Sequence, residues 1–186
     1  MKRLLFLALL LSLSSMAFAG TVTTIGFEDY PGYTQIDNQY ASDGVLFSNA
    51  LQLVVPSYDY FDYPPHSGNG VITNDPNDPI QVNFTLTSVS DVSGWYVDPD
   101  GVIVTAYGSG GTVLDTFNGA GIIGANAQFD VSGVGIQYIT ISDIGGNSDA
   151  MTVDDLAVTA PEPGSLALLG SGLLAGLAGV RRKIKG

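Results

Sequence analysis

Gln81-Val82-Asn83-Phe84-Thr85-Leu86 alternates polar and apolar side chains without a break. An extended chain sends successive side chains to opposite faces. Val82, Phe84 and Leu86 therefore share one face, the pattern of a half-buried β-strand. Ile136-Gln137-Tyr138-Ile139-Thr140-Ile141 repeats it for most of its length. Working outward, similar runs mark candidate strands at 21–27, 45–47, 51–55, 71–73, 80–86, 89–97, 102–107, 112–117, 127–131, 135–142 and 151–159. Turn formers separate them: Asp98-Pro99-Asp100-Gly101, Gly108-Ser109-Gly110-Gly111, Asn118-Gly119 and Gly145-Gly146-Asn147. No helix-period segment interrupts residues 20–160. Short strands with frequent turns predict an all-β fold, a β-sandwich of jelly-roll type. Tyr96 to Phe117 reads as a central hairpin, and Trp95, mid-strand, reads as core.

Residues 20–160 are the right length for one domain with a real core. The chain has no cysteine, so no disulfide supports that core. All six Lys and Arg lie at the ends: Lys2, Arg3, Arg181, Arg182, Lys183 and Lys185. Of 18 Asp and Glu only Glu162 lies outside residues 20–160, which leaves 17 carboxylates and no fixed cation in the domain. Nothing there can neutralise phosphates, which argues against nucleic acid as a partner. The domain cannot form Lys or Arg salt bridges with itself, and it should attract divalent cations or basic partners.

The two ends read as membrane signals. Lys2 and Arg3, the apolar run 4–13 and Ala17-Phe18-Ala19 have the plan of a signal peptide over residues 1–19, cut by signal peptidase before Gly20. Residues 161–186 carry Pro161-Glu162-Pro163, an uncharged run at 165–180, and Arg181-Arg182-Lys183. As a helix the run spans about 24 Å at 1.5 Å per residue, against about 30 Å of hydrocarbon. Snorkelling of the basic residues makes up the difference, so a transmembrane helix is expected. The basic end acts as a membrane stop that stays cytoplasmic, which puts the domain outside the membrane.

This tail resembles the PEP-CTERM sorting signal of Gram-negative bacteria, on Pro161-Glu162-Pro163, the Leu/Ala/Gly helix and Arg181-Arg182-Lys183. The resemblance implies recognition by an exosortase, transient membrane anchoring and delivery to the cell surface or an exopolysaccharide matrix. The polar site followed by a removable apolar tail parallels the logic of a lipid-anchor signal.

The domain is loosely similar to jelly-roll modules of the carbohydrate-binding type. The resemblance rests on Phe27-Glu28 near the start, Gly44-Val45-Leu46-Phe47, the 96–117 segment and a closing Asp154-Asp155-Leu156 strand. In many such jelly rolls a structural calcium lies where the first and last strands meet. The resemblance implies Glu28 or Asp29 with Asp154 or Asp155 as its ligands; the alternative is that one acid of each pair faces solvent. Asp98-x-Asp100-Gly101 lacks the remaining ligands of a calcium loop and reads as a β-turn. Tyr58, Tyr60, Asp62 and Tyr63 lie in the densest aromatic segment. Rings that stack on sugar faces beside acids that accept hydroxyls suit a glycan; the same tyrosines would also serve to pack the loop onto the sandwich. His66 is the sole histidine, and no nucleophile motif surrounds any serine. No catalytic residue is assigned. The expected role is a non-enzymatic module that associates with extracellular polysaccharide. The alternatives are a structural or adhesive surface protein without a sugar site, and a small glycan-active hydrolase using two carboxylates.

Overall fold

The computed structural model describes residues 20–74, 79–145 and 151–160. Val22–Ala160 form one compact unit that contains the whole described core, so this unit has what it needs to fold on its own. Its strands are β1 (Thr21–Ile25), β2 (Gln35–Ile36), β3 (Val45–Ser48), β4 (Ala50–Val54), β5 (Gly70–Asn74) and β6 (Ile80–Phe84). They continue as β7 (Val89–Asp98), β8 (Val102–Tyr107), β9 (Val113–Asn118), β10 (Ile122–Ile136), β11 (Tyr138–Asp143) and β12 (Thr152–Ala160). One sheet runs β10-β7-β12-β5-β4-β2, with β1 added beside β12; the other runs β3-β6-β11-β8-β9. The expected β-sandwich is what forms. Among the described residues the helical pieces are two single 3-10 turns, Ala41–Asp43 and Ser109–Gly111.

Alternation decides which side chains enter the gap between the sheets. Val92 and Tyr96 of β7, Phe129 and Val131 of β10, and Val153, Leu156 and Val158 of β12 are buried from one side. Val82, Val104, Ala106, Ile139 and Ile141 are buried from the other. Each large apolar side chain removed from water in this way contributes about 1.5–3 kcal/mol before entropy is counted. β7 has room for the Phe129 ring because its cross-strand neighbour is Gly94, where a Cβ would strike that ring.

The segment 96–117 is not one central hairpin. β7 belongs to the first sheet, while β8 and β9 pair at the edge of the second. Asp98-Pro99-Asp100-Gly101 is the step between sheets. The Asp98 carboxylate accepts the Asp100 and Gly101 N–H groups at 2.8 and 2.7 Å, and Gly101 takes φ 99°, a conformation open to glycine. The run 135–142 also divides. Ile136 ends β10 in the first sheet and Tyr138 begins β11 in the second. The alternation slips at the adjacent apolar pair Tyr138-Ile139, where the chain changes sheets. β10 extends well before residue 127 through a bulge, and β2 has too few residues to carry a periodic signal. Trp95 is half-buried on the outer face of the first sheet rather than in the core. The expected signal-peptide helix (1–19) and transmembrane helix (165–180) lie outside the described residues. Among those described, no helix is long and apolar enough to cross a membrane.

Candidate functional site

Part of the outer face of the first sheet is covered. Thr73, Val97, Thr152 and Asp154 point away from the core, yet each is buried. The connection between β4 and β5, residues 55–69, lies over this face and is held there by acids. β12 carries a bulge after Asp154, and Asp155 adopts φ 46°. Asp154 and Asp155 can then both address the same loop, which a regular strand forbids. Asp154 Oδ2 accepts His66 N–H at 2.8 Å and Ser67 N–H at 2.9 Å. Asp155 Oδ2 lies 2.7 Å from His66 Nδ1, and its Oδ1 accepts the Ser67 hydroxyl at 2.9 Å. Glu28 Oε1 accepts Asn69 N–H at 3.0 Å and Gly70 N–H at 2.9 Å. The His66 ring stacks on Trp95 with centroids 3.8 Å apart and planes within 7°.

Burial makes this clamp electrostatically costly. It pushes the Asp154 carboxyl up to about 6, against the N–H donors that lower it. The Tyr58 hydroxyl is buried without a hydrogen-bond partner; burial first, then the charges of Asp154 and Glu28, push it up to about 12. At the C-terminal end of β7, burial likewise pushes Asp98 up to about 6, with Asp143 and Asp100 adding to it.

Of the four acids expected at a calcium site, Glu28, Asp154 and Asp155 meet on one loop. Asp29 is not among the acids that bind it; its charge acts on Tyr40. Among the described residues no three acid or imidazole groups are arranged to hold a metal ion. The three carboxylates instead accept backbone and side-chain donors of residues 66–70. In this arrangement the set clamps the loop. Ser67, Asp155 and His66 are adjacent in the wrong order for nucleophilic chemistry: serine and imidazole both bind the carboxylate, so the imidazole does not take the serine proton.

The expected tyrosines divide. Tyr58 points its hydroxyl inward, and Tyr63 is half-buried. Tyr60 stacks on Phe61 at 4.4 Å, and Phe61 is the exposed tip at 76%. Asp59 and Asp62 flank that pair and face solvent. The Asp62 carbonyl accepts Gly124 N–H at 2.7 Å, and the Pro65 carbonyl accepts Asn126 Nδ2 at 3.4 Å, which ties the loop to the β10 bulge.

The outer face of the second sheet has a different character. Its register forms three cross-strand rows: Leu46, Asn83, Tyr138, Tyr107 and Val113; Ser48, Gln81, Thr140, Thr105 and Thr116; and Ser142, Ile103 and Asn118. No charged residue occurs in any row. Tyr107 and Tyr138 stack with centroids 4.5 Å apart and planes at 11°. Gln81 Nε2 donates to Asn83 Oδ1 at 2.8 Å beside them. A cleft of about 540 Å³ continues the platform, lined by Asn83, Phe84, Leu86, Thr87, Ser88, Gln137 and Tyr138 among others. Flat rings flanked by amides and hydroxyls can stack on the apolar face of a sugar while pairing with its hydroxyls. Nothing in the sequence marks these residues as a site. Each is a single polar or aromatic position of an alternating strand, and only the register assembles them.

Residues 159–183 match the PEP-CTERM protein-sorting motif, a span that includes Pro161-Glu162-Pro163 and Arg181-Arg182-Lys183. The tail is therefore a sorting signal; it implies export, membrane-anchored processing by an exosortase and a surface destination. No curated protein matches the chain. Among solved structures, the K2 cleaved adhesin domain of Lys-gingipain is similar at 16% identity and TM-score 0.53, covering 75% of this chain and 98% of that one. The K1 adhesin domain of Lys-gingipain from Porphyromonas gingivalis W83 is 13% identical, with TM-score 0.48 over 76% of this chain and 99% of that one. A family 29 carbohydrate-binding module from Piromyces equi is 9% identical, with TM-score 0.45 over 75% and 91%. At these identities the likeness concerns the fold alone, a two-sheet sandwich.

Proposed function

We propose that the exported domain is a non-enzymatic binding module for an extracellular polysaccharide, and that it docks the glycan on the outer face of the second sheet. One observation carries this reading: a domain with 17 carboxylates and no Lys or Arg keeps three complete cross-strand rows free of charge and places a stacked tyrosine pair among amides there. Solubility alone would not require such a face, since scattered acids serve that purpose anywhere on the surface. The sorting tail supports the setting, because it directs the chain to the surface, where polysaccharide is encountered.

The loop face offers a second reading, in which Tyr60, Phe61, Asp59 and Asp62 make the contact. The exposure of Phe61 favours it. A glycan array on residues 20–160 decides between the two. Tyr138→Ala should abolish the array signal, at least tenfold in affinity, while Phe61→Ala leaves it in place. The reverse pattern moves the site to the loop. Product release from any glycan would support a hydrolase, and silence across the array would support a purely structural or adhesive role.

A further inference from the structure

We infer that the tyrosine platform selects uncharged pyranose polymers and rejects polyanionic ones; this deepens, and rests on, the glycan-binding reading above. The platform holds no cation that could neutralise a carboxylate or sulfate. Its rows contain only amides, hydroxyls, tyrosines and aliphatic side chains. The imidazole of His66, the one side chain of residues 20–160 that could become a cation, lies over the other sheet against Trp95. The remainder of the domain presents acids elsewhere: Asp91 and Asp130 on the outer face of the first sheet, and Asp115 on β9, in the Ala106 row and so on the other side of the sheet from the platform, where it accepts Ser132 N–H. A polyanion on the platform would meet that field with no local compensation, whereas a neutral chain would feel none of it. Neutral recognition is supplied locally. With Gln81 Nε2 bound to Asn83 Oδ1, the Gln81 carbonyl oxygen and the Asn83 amide nitrogen are left to pair with sugar hydroxyls beside the Tyr138 ring.

Salt separates this effect from shape. The Debye length is about 30 Å at 0.01 M and about 3 Å at 1 M, so the field spans the domain in the first case and vanishes within a side chain's length in the second. The experiment titrates residues 20–160 with neutral glucan, mannan, galactan and xylan, and with a carboxymethylated form of each, at 10 mM and 1 M NaCl. The expected result is a neutral polymer whose Kd is the same at both salts. Its carboxymethylated form should bind about tenfold or more weakly at 10 mM, with the gap closing to within about threefold at 1 M. Equal binding of the charged and neutral forms at 10 mM overturns the selection while leaving the glycan site standing. Failure of every polymer, in both forms and at both salts, overturns the glycan-binding reading itself.

Discussion

Acidification should stabilise this domain, and Asp154 should account for much of the gain. Its carboxyl is 1% exposed, and burial holds it at about 6 against an ordinary value of 3.8. A carboxyl raised in the folded state is ionised there at a cost. The stability it allows is complete below the unfolded value and is lost as pH rises through about 6. Two units of difference correspond to about 3 kcal/mol between pH 4 and pH 7. For a domain of this size that is about 10 °C in melting temperature. Asn at this position cannot ionise, and its carbonyl can still accept the His66 and Ser67 amides. It does lose the bond from Asp155 N–H to Asp154 Oδ1, at about 1 kcal/mol. Asp154→Asn should therefore melt above wild type at pH 7 and slightly below it at pH 4. The assay is thermal melting from pH 4 to 7 in about 0.5 M salt, where repulsion among exposed acids is screened. Asp154→Ala is the control: it leaves two loop amides without an acceptor and should melt lower at every pH. An Asp154→Asn melting temperature that tracks wild type in parallel across the range would refute the buried-acid account.

Three further outcomes follow from the same contacts. Gly70→Ala should cost about 3 kcal/mol or more, because an added Cβ would overlap the Phe27 carbonyl oxygen and press on the Gln52 amide; a lowered urea midpoint with unchanged slope checks it. His66→Ala should red-shift and quench the emission of Trp95, the single tryptophan, by uncovering its ring, and an unchanged spectrum would mean that the loop does not rest on that strand. Calcium at 1–5 mM against EGTA, in about 0.5 M salt, should leave the melting temperature of residues 20–160 within about 1 °C, since loop donors already occupy Glu28, Asp154 and Asp155; a larger rise would mean that the acids turn from the loop to a cation.

The strands were legible because alternation is local. Gln81 to Phe84 and Val102 to Tyr107 declare their inner faces within a few residues, and burial follows that reading at each position but Phe84, which is half-buried at the end of its strand. Trp95 misleads for the complementary reason. It lies on a strand whose two faces are both covered, one by the core and one by the 55–69 loop, so hydrophobicity does not say which side it takes. The acids at 28, 154 and 155 were legible as a group that the fold would gather. Their partners were not, because a backbone amide of residue 66, 67, 69 or 70 leaves no mark in side-chain composition.

The sequence by itself determined the β class, the cation-free acidic domain and the sorting tail, all of which rest on residue identity and near-neighbour spacing. Tertiary structure decided the rest. It split 96–117 and 135–142 between sheets, turned the candidate calcium acids into a clamp on a loop, and brought Asn83, Tyr107 and Tyr138 into one uncharged row. Pairing partners lie up to 55 residues apart in that row, and hydrogen-bond register between distant strands, not periodicity within any of them, sets which side chains become neighbours.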